Sequence, residues 1–279
     1  CADTCLPAVA AVRADVPDLR WILALETGEE APTPEDVDGV ESLAEILAGP
    51  VPSLDPRAEP TTPLQIMYTS GTTGDPKGIV GDNARFCAAG ILGHLCGYRP
   101  DERPYTGLSL THGNAQSVTL APALLMGLRA VFSRRFTKSR LWDVCRRHGC
   151  TTFSLVGGMA TGIYSEPPRP DDADNPVRLV VSGGMPPAIW EAFEKRFDVR
   201  VLEFYGAMDG GGVAYKPVGQ GPTGSFGKPL PSIEMKILDE QDRECPPFVV
   251  GEVCSRPAGG GPASVEYYDN AKASQEKTR

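Results

Sequence analysis

The eleven residues Tyr68-Thr69-Ser70-Gly71-Thr72-Thr73-Gly74-Asp75-Pro76-Lys77-Gly78 decide how this chain is read. Residues 63–67 before them have the composition of a short strand. After them, Asp82 or Asn83 is placed to cap a helix running through Ala88, Ile91, Leu92 and Leu95. A strand, a glycine turn and a helix start together make a cradle for an anion. Gly71 and Gly74 let backbone N–H groups turn inward with no Cβ in the way. Thr69, Ser70, Thr72 and Thr73 add neutral donors, and Lys77 adds a point charge. The common nucleotide P-loop has Gly before its Lys and Ser or Thr after it, whereas Pro76 and Gly78 flank Lys77 here. The hydroxyls gather ahead of the lysine, where they reach a polyphosphate tail.

Beyond this loop the pattern alternates apolar runs of strand length with helical periodicity, the signature of an α/β fold. Helical character over the first residues leads to a buried strand at 20–25, and a short helix is expected at 40–47. Residues 107–110 read as a strand, 115–128 as an apolar core helix, and 130–132 and 151–156 as strands. A helix capped by Thr137 or Ser139 runs through Leu141, Trp142, Val144 and Cys145. Further on come a strand at 179–182, a helix at 188–197 and a strand at 199–202. From residue 223 the character changes to short alternating strands at 233–239 and 251–256. The organisation expected is an α/β portion over 1–222 and a smaller β-rich subdomain over 223–279. Glycine-bearing turns close several strands: Thr111-His-Gly-Asn114, Gly157-Gly-Met159, Gly183-Gly-Met-Pro186 and Glu203-Phe-Tyr-Gly-Ala-Met-Asp-Gly210. In a parallel sheet, that end of the strands is where ligands bind.

Composition bounds the function. The 279 residues are 41% hydrophobic, enough for a sizeable core, and carry a net charge of −9. That balance argues against a nucleic-acid partner or a membrane-surface role, though not against a local cationic pocket. Eight scattered cysteines with no CxxC pair, and three histidines, disfavour a structural zinc site and suit a reduced, cytoplasmic protein. No eighteen-residue apolar run and no signal peptide is visible. The chain begins at Cys1, which suggests a piece of a longer protein.

The string YTSGTTGDPKG resembles the phosphate loop of the adenylate-forming superfamily: acyl-CoA synthetases, aryl-CoA ligases, luciferases and the adenylation domains of peptide synthetases. Three later segments extend the resemblance. Leu108-Ser-Leu-Thr-His112 is similar to the family's LPLFH segment, Gly183-Gly-Met-Pro186 to its GGxPL turn, and the 203–210 stretch to its xxYGxTE segment. The resemblance implies the layered sheets and flanking helices of an adenylate-forming N-terminal domain. It also implies ATP, Mg²⁺ and coenzyme A as cofactors and a small-molecule carboxylic acid as substrate, with a homodimer possible on the same ground. On this reading Thr69, Ser70, Gly71, Thr72, Thr73, Gly74 and Lys77 hold the nucleotide phosphates. Gly183, Gly184, Met185, Pro186, Glu203, Phe204, Tyr205, Gly206 and Met208 line the nucleoside, with Tyr205 stacked on the adenine. His112, Gly157, Gly158, Met159 and Ala207 lie by the acyl group, and Asp209 takes the metal. His112, Lys77 and Asp209 are the implied catalytic residues.

Two departures qualify the resemblance. Met208 stands where relatives carry a phosphate-bonding threonine, and Asp209 where they carry glutamate. The run GxPLP…GEVxxR…YYDNAKAS also stops short of the family's ribose-clamping segment and its mobile C-terminal lid. Residues 136–150 and 167–178 resemble the carnitine/crotonobetaine-CoA ligase type. The activity implied is an AMP-forming acid–CoA ligase. The alternatives are an adenylation domain loading a carrier protein, which the lack of an acid in 113–119 disfavours for amino acids, and a nucleotide-binding module without turnover.

Overall fold

In a computed structural model, residues 1–27, 37–50, 53, 59–69, 76–210, 212–261 and 265–278 are described. They fall into two compact units, 1–57 and 58–279. In the first, α1 (Leu6–Val12) precedes β1 (Ile22–Ala24), which pairs in parallel with β2 (Val40–Ser42), and α2 (Leu43–Ala48) follows. The Ser42 side chain caps α2 by accepting from Glu45 N–H at 3.3 Å. A small core of Leu6, Ile22 and Ala24 holds the unit together. The strand expected to be buried on both faces is buried on one: Ile22 and Ala24 point inward, while Leu23 and Trp21 are exposed. The first three residues of the helix expected at 40–47 are strand, because Val40-Glu-Ser42 finds β1 as a pairing partner.

The second unit opens with β3 (Pro63–Tyr68) and β4 (Gly78–Asp82), an antiparallel pair. Six residues of the glycine-rich string, 70–75, lie outside the described residues. The string joins two strands, rather than a strand and a helix as expected. Gly78-Ile-Val-Gly-Asp82 is extended because it pairs with β3 on one side, while Val80 N–H donates to Glu266 and Tyr268 N–H to Gly78 on the other. The helix starts where it was expected, after β4: α3 (Asn83–Gly90) is capped by Asp82, whose carboxylate accepts from Arg85 N–H at 2.8 Å, and is followed by α4 (Leu92–Leu95).

Next come β5 (Pro104–Thr106), a π-helical turn (Ala115–Leu120), α5 (Ala121–Met126), β6 (Val131–Phe132), α6 (Leu141–His148) and β7 (Thr152–Val156). These are followed by α7 (Gly158–Tyr164), β8 (Leu179–Gly183), α8 (Trp190–Phe197), β9 (Arg200–Gly206), β10 (Val213–Lys216) and β11 (Lys228–Pro229). The seven strands form one sheet in the order β11-β10-β9-β8-β7-β5-β6, parallel from β9 to β6, with β10 and β11 antiparallel at one edge. Helices flank this central sheet, as the α/β reading expects. The strand placed at 107–110 lies instead at 104–106, where all three residues are buried between β6 and β7. Past Thr106 the chain turns, with Leu108 N–H donating to the Thr106 hydroxyl at 3.2 Å. The helix expected over 115–128 is two pieces, a π turn and α5, ending on Gly127 at φ 66°.

The two faces of the sheet bury two cores, as the period of a strand requires. On one face Trp142 stacks on Phe197 at 4.4 Å and meets Phe153 edge-on at 5.6 Å, with Val180 and Val201 beneath. On the other, Leu179, Val181 and Leu202 pack on Tyr98 and Val118. Near the starts of β5, β7 and β8, the buried Glu102 carboxylate accepts from Arg178, Thr151 and Thr152. Burial works to raise its pKa, but these donors prevail and hold it below the usual glutamate value. The chain closes with the hairpin β12 (Ile233–Leu238) and β13 (Glu252–Pro257) and with α9 (Ala271–Lys277).

Candidate functional site

The sheet topology creates the site. Strands β5, β7, β8 and β9 run parallel, so the segments that leave them gather along one edge of the sheet. A cavity of about 1020 Å³ opens there. Val156 ends β7 on its wall, Gly183 and Gly184 end β8, and Glu203 through Met208 continue β9. The stretch Thr111–Asn114, with Gln116 and Ser117 of the π turn, forms another side.

The Gly183–Met185 turn is held by a buried carboxylate. Glu203 accepts from Gly184 N–H and, at 3.0 Å, from Met185 N–H. Burial pushes the Glu203 carboxyl above its usual range, and those two N–H donors and the Lys216 charge offset only part of that. Gly184 has φ 108°, a backbone region closed to other residues without strain, and its inner face lies against Gly157. Tyr205 lies against Phe226 with ring centroids 5.0 Å apart, an aromatic wall flat enough for a base or another planar group. His112 is oriented locally: its Nδ1 accepts from Asn114 N–H at 3.1 Å. The Asn114 side-chain amide is buried and has no hydrogen-bond partner among the described residues.

Among the described residues the structure brings Thr69, His112, Gly183, Gly184, Glu203, Phe204, Tyr205, Gly206, Ala207 and Met208 to this one cavity. Ser70, Gly71, Thr72, Thr73 and Gly74 lie outside the described residues. Lys77 does not line the cavity, but its carbonyl accepts from Thr69 N–H at 3.0 Å, and Thr69 does line it. Its ammonium sits 5.3 Å from the centroid of the Tyr267 ring. Met185 turns its side chain into the core, so only its N–H belongs to the turn. Pro186 stands just outside, leading into α8. Gly157, Gly158 and Met159 are also off the cavity wall: the chain turns at Gly157 into α7, and Met159 packs on the core below.

Met208 packs where the sequence offered no hint of it. Its Cγ and Sδ atoms fill the space a Cβ on Gly113 would occupy, at 2.5 and 2.6 Å from that position. It also joins the cluster of Ile79, Val265, Tyr267 and Ala273. The Met208 carbonyl accepts from the Arg85 guanidinium. Asp209, next in the chain, meets Tyr267 OH and Lys277 Nζ, each 3.3 Å from Oδ2.

Sequence reasoning missed the α3–α4 wall. Arg85, Phe86, Ala88, Ala89, Ile91, Leu92 and Leu95 line the cavity, as do Phe226, Leu230 and Ser232 from beyond β10. The helical spacing of Ala88, Ile91, Leu92 and Leu95 was legible, but a stripe of that kind reads equally as core. Arg85 carried the one available signal, a cation within the first turn of an otherwise apolar helix.

Magnesium fits this arrangement only in company. Among the described residues no group of three or more His, Cys, Asp or Glu side chains is arranged to hold a metal. Magnesium characteristically uses one or two carboxylates plus substrate phosphates. Asp209, which follows the cavity-lining Met208 but is not itself on the cavity wall, would be one such carboxylate, and nucleotide phosphates would supply the other oxygens.

Comparison with known proteins agrees with the fold. Residues 2–262 match the model of the AMP-binding enzyme family, and the chain belongs to that family. The medium/long-chain-fatty-acid–CoA ligase FadD17 of Mycobacterium marinum is 34% identical over 223 residues, 79% of this chain and 43% of that protein. FadD17 of Mycobacterium tuberculosis is 31% identical over 274 residues, 95% of this chain and 53% of that protein. The chain thus spans about half the length of the curated relatives it matches. Among solved structures, the anthranilate CoA ligase AuaEII, in complex with anthranoyl-AMP, superposes with a TM-score of 0.83 at 22% identity. The match covers 99% of this chain and 53% of that one. Among the described residues no helix is long and apolar enough to cross a membrane.

Proposed function

We propose that this chain is the nucleotide- and acid-binding portion of an AMP-forming acid–CoA ligase acting on an acid with an apolar chain. The observation that carries the reading is the single cavity joining His112, Gly184, Glu203 and Tyr205, four residues of three separate segments. The reaction activates the acid: its carboxylate oxygen attacks the α-phosphorus of ATP, the α–β anhydride bond breaks, pyrophosphate leaves, and an acyl-adenylate remains for the thiol of coenzyme A. The residues present supply position and charge rather than covalent chemistry. Thr69 and Lys77 flank the phosphate loop, Tyr205 offers the adenine a face, and the Glu203-held turn presents a rigid backbone edge. His112, which lines the cavity with its Nδ1 engaged by Asn114 N–H, would sit beside the acid's carboxylate. Bound magnesium, held by Asp209 and the phosphates, would neutralise charge on the departing pyrophosphate.

The nature of the acid is argued from the walls. Phe86, Ala89, Leu92, Leu95, Val213 and Leu230 give the cavity an apolar side, and a narrower apolar recess lined by Cys96, Val118 and Tyr215 adjoins it. Whereas the recess, at about 10 Å³, has room for no more than a water molecule, an aliphatic tail along the cavity's apolar side is stabilised by about 0.8 kcal/mol per buried CH₂. This favours a fatty acid, as for the FadD17 relatives, over the carnitine type. A carrier protein in place of coenzyme A would leave all of these contacts unchanged. Met208 supports a second reading, a nucleotide-binding module without turnover, because methionine donates no hydrogen bond to phosphate.

The deciding experiment is acid-dependent exchange of labelled pyrophosphate into ATP by the full-length protein, over acids of increasing chain length. Exchange that rises from short to medium or long acids is expected. ATP binding without exchange for any acid would favour the second reading.

A further inference from the structure

We propose that Lys277, on the C-terminal helix α9, is a nucleotide-binding residue that exchanges partners with Asp209 when a magnesium nucleotide enters. The inference rests on the reading above and adds a residue that neither the sequence motifs nor the cavity wall singled out. Three observations carry it.

The first is placement. Residues 266–268 bond to β4 through Val80 N–H to Glu266 and Tyr268 N–H to Gly78, so the segment leading to α9 is tied to the exit of the glycine-rich loop. Tyr267 is thereby set with Lys77 over its ring and its hydroxyl on Asp209, and Lys277 reaches the same Asp209 oxygen.

The second is mobility of one partner against fixity of the other. Asp209 follows Met208, whose carbonyl accepts from Arg85, so its root is held. Lys277 ends a flexible four-carbon stem, and the pair is partly open to solvent, with side chains 37% and 26% exposed. An ion pair of that kind holds its partners weakly.

The third is charge. Arg85 and Lys277 face the carboxylates of Asp82, Asp209 and Glu252, and Lys77 lies over the Tyr267 ring beside them, so three cations stand against three anions. Arg85 and Lys277 are already engaged by carboxylates, so a polyanion draws one of them only where its carboxylate finds another partner. On entry of the nucleotide, the Asp209–Lys277 pair gives way to a carboxylate–metal contact and an ammonium–phosphate contact. Both new pairs involve the one ligand, so neither Asp209 nor Lys277 is left without a partner.

Titration calorimetry of ATP into the full-length protein, with and without Mg²⁺, tests this on the wild type, Lys277→Met and Lys277→Arg, each with its thermal midpoint. In Lys277→Met, affinity for ATP with Mg²⁺ is expected to fall about tenfold, as for loss of one hydrogen bond to a charged group, with the midpoint little changed. Lys277→Arg, which keeps the charge, restores affinity to within about threefold. Tighter binding by Lys277→Met would show a mere competing counter-ion, and unchanged binding a purely structural pair; either overturns the exchange while leaving the functional reading standing. A midpoint drop in Lys277→Met that Lys277→Arg repairs without repairing affinity overturns it as well. A wild type that binds no ATP at all would sink both.

Discussion

Two carboxylates, Glu203 and Asp209, lie six residues apart at one end of one strand, yet their surroundings differ in kind. Glu203 is 5% exposed, accepts from two backbone N–H groups and faces the buried Lys216. Asp209 stands past the strand's end, partly open, on a tyrosine hydroxyl and a surface lysine. The difference separates scaffold from ligand. A buried carboxylate with all its acceptors used cannot change partners without leaving charges and donors orphaned, so Glu203 shapes the turn and stays put. A half-open carboxylate with a movable partner can release it at small cost, so Asp209 is suited to exchange.

The largest effect that tests this contrast is Glu203→Ala. It leaves Gly184 N–H and Met185 N–H without their acceptor and Lys216 without its counter-charge, and is expected to cost about 3–5 kcal/mol. Urea unfolding reads that loss, and a cost below 1 kcal/mol would abolish the distinction. Gly184→Ala comes next. A side chain at φ 108°, against Gly157, is expected to cost about 1–3 kcal/mol and to weaken ATP binding, because the turn must shift. Asp209→Asn is expected to change stability by no more than about 1 kcal/mol while abolishing the gain in ATP affinity that Mg²⁺ confers, read by calorimetry.

A third carboxylate sharpens the comparison through pH. The folded-state pKa of Glu102 lies below its unfolded value, so its stabilisation is present above the unfolded glutamate range and is lost as pH falls through the folded value. Glu203 has the opposite sign: its pKa is raised, so the ionised form is penalised as pH rises through the folded value. Glu102→Gln should therefore flatten the acid limb of the stability profile, whereas Glu203→Gln should flatten the part above it. The smallest effect expected is at Gly113→Ala, about 1 kcal/mol, because the clashing atoms belong to a flexible methionine. Met208→Thr should relieve it, and a double-mutant cycle on unfolding free energies measures the coupling.

Much of this molecule was legible in order and type. The sequence marked strands at 151–156 and 179–182 and a helix at 188–197, and the structure has them at 152–156, 179–183 and 190–197. Turn glycines marked the ends at which ligands gather. The elements misplaced were those whose state depends on a distant partner. Gly78–Asp82 is a strand because β3 and residues 266–268 lie on its two sides, and Val40–Ser42 because β1 does. A pairing of that kind leaves no local signature.

The same limit explains the site. Sequence alone determined that several strands end in glycine turns and that a lysine-bearing, glycine-rich string follows one of them, since those features are local backbone chemistry. Only the tertiary structure decided which side chains face the cavity. The apolar stripe of α3 and α4 lines a void instead of the core, Met159 and Met185 turn away, and Met208 settles on Gly113. Arg85 reaches Met208 across 123 positions of chain, and Lys277 reaches Asp209 from the last helix. Periodicity states which residues share a face, but only packing against the rest of the chain determines what that face meets.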